Sequence, residues 1–310
     1  MMNRGLWSKL PLAFLPIVLL LAVQTSVALA GGHTSGGSRP SSANPTEAQR
    51  AEMREFLNDF VAEMDEKYFA RVERMNGGVE YEDRTASTDH SDYELRVTRG
   101  EVMEKAGRML SQGKKLGPGR GDGTLTWGRF YSLDMHPKTP LVGMLHATIV
   151  MQQFEDGSVQ VGGWLGVMPG AKVEEDLALL KQLTDDYFAE RDQDPALYRQ
   201  LICKGTHDTV AEFRRKPACS GVSFYGPPVY RGDPDASFRF IAGLYDEFID
   251  AYMDIAEDRA DDAYTEADMV AQDNMRRQWM IDQLFSDPYA SSVVPFDVWS
   301  FANMPPVIKF

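Results

Sequence analysis

The chain predicts an α/β fold of the α+β kind, with helices packed against antiparallel strands. Two observations carry that reading. Residues 144–154 and 158–167 are apolar, strand-like runs joined by Glu155-Asp156-Gly157. Asp-Gly tolerates positive φ, so the two runs read as a hairpin. Apolar residues at helical spacing stand on both sides of it. Met53, Phe56, Phe60, Met64, Tyr68 and Val72 come before, and Phe238, Ile241, Tyr245, Phe248, Tyr252 and Ile255 after. No internal repeat and no linker divides the chain, so one domain over residues 46–310 is expected.

The elements follow in order. Thr46-Glu-Ala-Gln49 is a capping box, in which the Thr hydroxyl and the Gln side chain satisfy amides that a first helical turn leaves orphaned. That helix should stop at Gly77-Gly78. Residues 80–92 are polar and predict no element, and 93–97 predict a short strand. A Gly- and Lys-rich loop is expected between Gly107 and Gly123. Residues 126–134 alternate aromatic and polar side chains and read as a strand before the hairpin. Residues 173–191 read as a helix with Leu177, Leu180, Leu183 and Tyr187 on one stripe. A shorter helix covers 196–203 and a short strand 221–225. Asp233-Pro234 opens a long helix to about Asp262, whose acidic outer face reads as solvated rather than as a metal site. Residues 279–285 and 298–301 read as final strands.

The first 30 residues read as an export signal. Arg4 and Lys9 supply its positive start, and residues 10–27 its apolar run. Ala28-Leu-Ala30 supplies a small-x-small cleavage site. A membrane anchor is the alternative, but Pro11, Pro16 and the cleavage site argue against it. Export to a periplasm or the medium is therefore expected, with residues 31–45, rich in Gly, Ser and Pro, as a disordered leader. No later stretch is apolar for long enough to span a bilayer. Without the signal the chain carries 30 Lys and Arg against 46 Asp and Glu, a net charge of −16. Such a chain repels nucleic acid and anionic lipid, and an anionic ligand would need local basic or backbone groups. Cys203 and Cys219 are its two cysteines. Either they pair, as export permits, or they are separate buried thiols. A bridge would close a loop of about 17 residues and contribute roughly 3 kcal/mol.

Several chemistries are excluded by their missing motifs. The sequence holds no Gly-rich phosphate loop, no serine nucleophile elbow, no His-Glu-x-x-His and no CxxC. What remains is His136 and His146, ten residues apart. On an extended run His146 shares a face with Met144, Thr148 and Val150. It is either a satisfied, half-buried histidine or an acid/base group lining a sheet-walled cavity.

Four blocks carry a resemblance: Gly100-Glu-Val-Met-Glu-Lys-Ala-Gly107, then Ser132-Leu-Asp-Met-His136-Pro with His146-Ala, then Glu174-Glu-Asp176, and finally Met304-Pro-Pro-Val. In this order and spacing, residues 50–310 resemble the oxygen-dependent coproporphyrinogen-III oxidase family of haem biosynthesis. The resemblance implies one large, mostly antiparallel sheet flanked by helices, in a homodimer. It implies O₂-dependent oxidative decarboxylation of coproporphyrinogen III, with O₂ as co-substrate and neither organic cofactor nor metal. Position by position, it makes His146 the catalytic proton donor, Ser132 a substrate-contacting serine and His136 a second site histidine.

The chain also departs from the family. Thr148-Ile149-Val150 stands where the family has Asn-Val-Arg, and Gly166 where the hairpin's second strand carries an Asp. Tyr225-Gly226 replaces acidic residues that engage the pyrrole nitrogens, and Phe296 falls at the Gly-Gly-Arg segment that meets a substrate carboxylate. Two further family histidines fall near Leu179 or Lys181 and near Glu212. A carboxylate near the pyrroles stabilises positive charge on the ring, and an arginine holds a propionate by paired hydrogen bonds. Tyr225 and Phe296 do neither, but with Thr148 they suit the wall of a pocket for a flat macrocycle. Arg129, Arg276 and Arg277 are candidate replacements for the lost arginine. The expectation is a weak oxidase of this class, with a non-catalytic, exported haem- or tetrapyrrole-binding protein as the alternative and a structural scaffold as the third.

Overall fold

Thr46 starts the first helix as its neighbours dictate. In the computed structural model, which describes residues 44–117, 123–204, 215–285 and 294–310, its hydroxyl accepts from the Gln49 amide while the Gln49 side chain accepts from the Thr46 amide. Helix α1 (Glu47–Asn76) runs from there to Gly77, which ends it at φ 69°. Asn76 then clamps the next segment: its side chain accepts from the amides of Val102 and Met103 and donates to the Met103 carbonyl. The signal segment and nearly all of the leader lie outside the described residues.

Among the described residues seven strands follow in chain order: β1 (Tyr81–Ser87), β2 (Ser91–Thr98), β3 (Met103–Gly113), β4 (Leu125–Pro137), β5 (Met144–Phe154), β6 (Val159–Met168) and the two-residue β7 (Val222–Ser223). They form one sheet in the order β1-β2-β3-β4-β5-β6-β7, every neighbouring pair antiparallel. The predicted fold class is thus the observed one, α+β around a single antiparallel sheet. The hairpin is β5–β6, with Gly157 at φ 82° in its turn. Between β6 and β7 stand α2 (Glu174–Ala189) and α3 (Ala196–Lys204). After β7 come α4 (Pro234–Asp258), α5 (Glu266–Phe285) and α6 (Phe296–Ala302).

Both faces of the sheet are covered. One packs against α1 and α4, where Leu133, Met135, Leu145, Ala147, Ile149, Leu165 and Val167 meet Phe60, Tyr68, Ile241, Tyr245 and Phe248. The acidic outer face of α4 joins it to α1: Lys67 pairs with Asp246 and Asp250, and Arg71 with Asp254 and Glu257. The other face lies under α6, which packs on β2 and β3, and under Trp279 of α5, which packs on Met144 and Met168. Cys203 and Cys219 are bridged, which settles the open alternative in favour of a disulfide. Among the described residues no helix is long and apolar enough to cross a membrane.

Four expectations need correction. Residues 81–87 form a strand although they are polar, because β1 is the sheet edge and nearly all of it is exposed. The loop expected between Gly107 and Gly123 is strand as far as Gly113, the end of β3; Lys105 and Arg108 are buried within that strand and mask its pattern. Residues 279–285 and 298–301 are helical, not strands. Short apolar runs do not distinguish the two, and the buried side of α5 is polar: Gln272, Arg276, Asp282 and Gln283 accompany Trp279.

Candidate functional site

The alternation of a strand places Ser132, Asp134 and His136 of β4 on one face, opposite the apolar set. Register does the rest. Asp134 stands opposite His146, Ser132 opposite Thr148, and His136 opposite Lys105 on β3. On the far side His146 pairs with Gly166 and Thr148 with Trp164. A cluster of polar side chains thus occupies a face that α5, α6 and the closing segment cover.

Its centre is a dyad. The His146 Nδ1 and Asp134 Oδ1 are 2.5 Å apart. The other Asp134 oxygen accepts from the Asn303 amide at 2.5 Å, and the same amide donates to Ser132 Oγ at 3.2 Å. Asp134 has no solvent exposure. A buried carboxylate is costly unless such charge-assisted bonds hold it. With the Asp134 carboxylate as acceptor, His146 donates from Nδ1, which leaves Nε2 as the ring's acceptor nitrogen. The ring is flanked by Trp279 at 4.8 Å and Trp164 at 6.4 Å between centroids. The Trp279 indole N–H donates to the Asn303 carbonyl at 2.9 Å, which fixes the amide that serves Asp134.

Two glycines make this packing possible. A Cβ on Gly107 would lie 1.9 Å from the Ala302 carbonyl oxygen, so only glycine lets the end of α6 reach the sheet. A Cβ on Gly166 would lie 2.6 Å from Trp164 Nε1: the indole fills the space that a side chain there would need. That indole N–H is buried with no hydrogen-bond partner among the described residues.

Beside the dyad lies a basic pair. Lys105 is buried and donates to the Met304 carbonyl at 2.5 Å. Burial pushes its amine down to about 7, with Arg99 adding to the effect and Asp134 opposing it. His136 is fully buried, and neither ring nitrogen has a well-formed hydrogen bond among the described residues. Burial first, then Lys105 and Arg276, hold it well below the ordinary histidine range, so it is neutral at pH 7.

The sequence candidates divide accordingly. Ser132, His136, His146 and Thr148 share the face, and Tyr225 joins it through a 2.8 Å bond between its hydroxyl and that of Thr148. Phe296 does not: it is 59% exposed at the start of α6, with its ring against Trp299. Of the candidate replacement arginines, Arg129 is tied to Gln112 and Glu94, and Arg277 to Asn274 and the Lys309 carbonyl. Arg276 is buried against Glu104 at 2.5 Å. Sequence reasoning missed Asp134, Asn303 and Arg215. The guanidinium of Arg215 lies 4.9 Å from the Trp164 ring and 5.2 Å from the Trp279 ring. Its signal was available: Arg214-Arg215-Lys216 is a run of three cations between the two cysteines of an acidic chain. No family model matches this chain.

Proposed function

We propose that the chain is a divergent relative of the oxygen-dependent coproporphyrinogen-III oxidases, acting slowly on a propionate-bearing, reduced tetrapyrrole. His146, oriented by Asp134, is its proton-handling group. The observation that carries the reading is convergence. Three sequence blocks that resemble the family are far apart in the chain and meet at one place. Gly107 admits Ala302, Lys105 holds the Met304 carbonyl, and Asn303 bonds the Asp134 that bonds His146. The fourth block serves packing, since Glu175 and Asp176 pair with Arg259. The missing carboxylate at Gly166 also has a counterpart. Gly166 flanks His146 on β6 and Asp134 flanks it on β4, so a carboxylate still stands beside the imidazole, delivered from the other neighbouring strand.

The chemistry follows from that arrangement. A neighbouring carboxylate stabilises an imidazolium and fixes its tautomer, which suits His146 to give or take one proton during loss of CO₂ from a propionate. A second reading, tetrapyrrole binding without turnover, is favoured by the departures from the resembled family: Gly166 and Phe296 stand where it carries an Asp and an Arg-bearing segment, and Phe296 is exposed rather than among the buried site residues. The test is coproporphyrinogen III prepared without air, then exposed to O₂ with the full chain and followed by chromatography for vinyl products. Slow conversion, well below about 1 s⁻¹, is the expected result. Saturable binding of coproporphyrin III without conversion would select the second reading. Neither binding nor conversion would overturn both.

A further inference from the structure

A pocket of about 290 Å³ opens where the turn after β6 passes α5. Its apolar wall is Met168, Met275 and Trp279, and its polar wall Arg215, Lys216 and Gln278. Trp279 is shared with the dyad: the indole that lines this pocket is the one that packs against the His146 ring. The turn approaches the helix closely, since a Cβ on Gly170 would lie 2.8 Å from the Cα of Gln272.

The charge here runs against that of the whole molecule. The chain carries a net charge of −14, yet this pocket presents two cations. Among the described residues buried Asp282 opposes them: it accepts from the Arg215 amide at 2.8 Å and pairs with its Nε at 3.2 Å. Asp282 holds Arg215 against both indoles, a geometry that favours a planar guanidinium over an ammonium. Lys216 is exposed at the rim and makes no ion pair among the described residues. A small apolar cavity rimmed by net positive charge suits a carboxylate on an apolar body.

We propose that this pocket is a carboxylate subsite, in which Lys216 and Arg215 take the acid group of a ligand while Met168, Met275 and Trp279 take the apolar chain that carries it. That the acid is a tetrapyrrole propionate rests on the reading proposed above. The subsite itself rests on the cavity and its charge. A ligand anchored here touches the same indole that walls His146.

The experiment compares 1-pyrenebutyrate with its methyl ester on the full chain, read by tryptophan quenching and pyrene emission. The acid should bind about 10-fold or more tightly than the ester, as expected for a charge-assisted hydrogen bond. Lys216→Glu, at an exposed position, should remove that preference and leave the ester unchanged. Circular dichroism confirms that the variant is folded. Equal binding of acid and ester, no binding of either, or full acid affinity in Lys216→Glu would overturn the subsite. Coproporphyrin III should displace the pyrene acid. If it fails to do so while the acid preference and its loss in Lys216→Glu persist, the subsite stands and the tetrapyrrole reading falls.

Discussion

Thr148 and Ile149 are neighbours in β5, yet they belong to two different kinds of interior. Ile149 points into the side packed by α1 and α4, where the strands contribute Leu133, Met135, Leu145, Ala147 and Val167. Thr148 points to the side of α5 and α6, with Ser132, Asp134, His136 and His146. Both faces are buried, so exposure does not explain the difference. The first face stabilises the fold by removing apolar surface from water. The second buries a carboxylate, two imidazoles and an amine, each of which costs free energy unless partnered. His136 and the Trp164 N–H are buried without well-formed partners among the described residues. A fold selected for stability alone has little use for that face, and this contrast is what the proposed function rests on.

The largest effect should come from the apolar side. Ile149→Ala leaves a cavity between β5 and α4 and should cost about 2–5 kcal/mol in denaturant unfolding. A loss under about 1 kcal/mol would break the claim that this face carries the stability. Lys105 probes the opposite side by pH. Its folded-state pKa is lowered from 10.5 to about 7, so between those values the unfolded chain holds more protons. Stability should therefore rise with pH across that window and have no Lys105-dependent slope below about 7, where both states are protonated. Lys105→Met should flatten the slope and stabilise the protein at neutral pH. Unchanged slopes in paired melts at pH 7 and pH 10 would show that the amine is solvated in the native state.

A smaller loss is expected at the dyad. Asp134→Ala removes the carboxylate that accepts from the Asn303 amide and bonds His146 Nδ1, and should cost about 1–3 kcal/mol for the buried polar groups left unpaired. A variant as stable as wild type would mean that Asn303 does not bond this side chain. The smallest effect lies at the rim, on neither face. Thr46→Ala removes one half of the capping box and should cost about 1 kcal/mol, measured by the same unfolding curves. A loss comparable to that of Ile149→Ala would show that α1 depends on its start rather than on its packed stripe.

Legibility in the sequence follows the same division. The hairpin, α1 and α4 could be read because their buried stripes are apolar and their caps carry standard signals in Thr46, Gly77, Gly157 and Asp233. Elements that serve the polar face could not. The buried side of α5 includes Gln272, Arg276 and Asp282, and β3 buries Lys105 and Arg108, so neither shows the expected period. β1 failed for the opposite reason, being exposed along nearly all of its length at the edge. In the site, Ser132, His136 and His146 were visible as a spaced motif. Asp134 lay inside that motif, and the period of two that joins residues 132, 134 and 136 would have found it. Asn303 reaches the site from 169 residues away in the chain, a juxtaposition that no local pattern encodes.

The central claim is that His146 works on a ligand rather than holding the sheet together. Conversion of coproporphyrinogen III by His146→Gln, measured beside wild type under O₂ and with unfolding curves for both, tests it most directly. The account predicts a fall in product formation of about 10²–10⁴-fold, the usual share of a positioned acid or base, with stability changed by no more than about 1–3 kcal/mol. Conversion at the wild-type rate by a folded His146→Gln protein would contradict it.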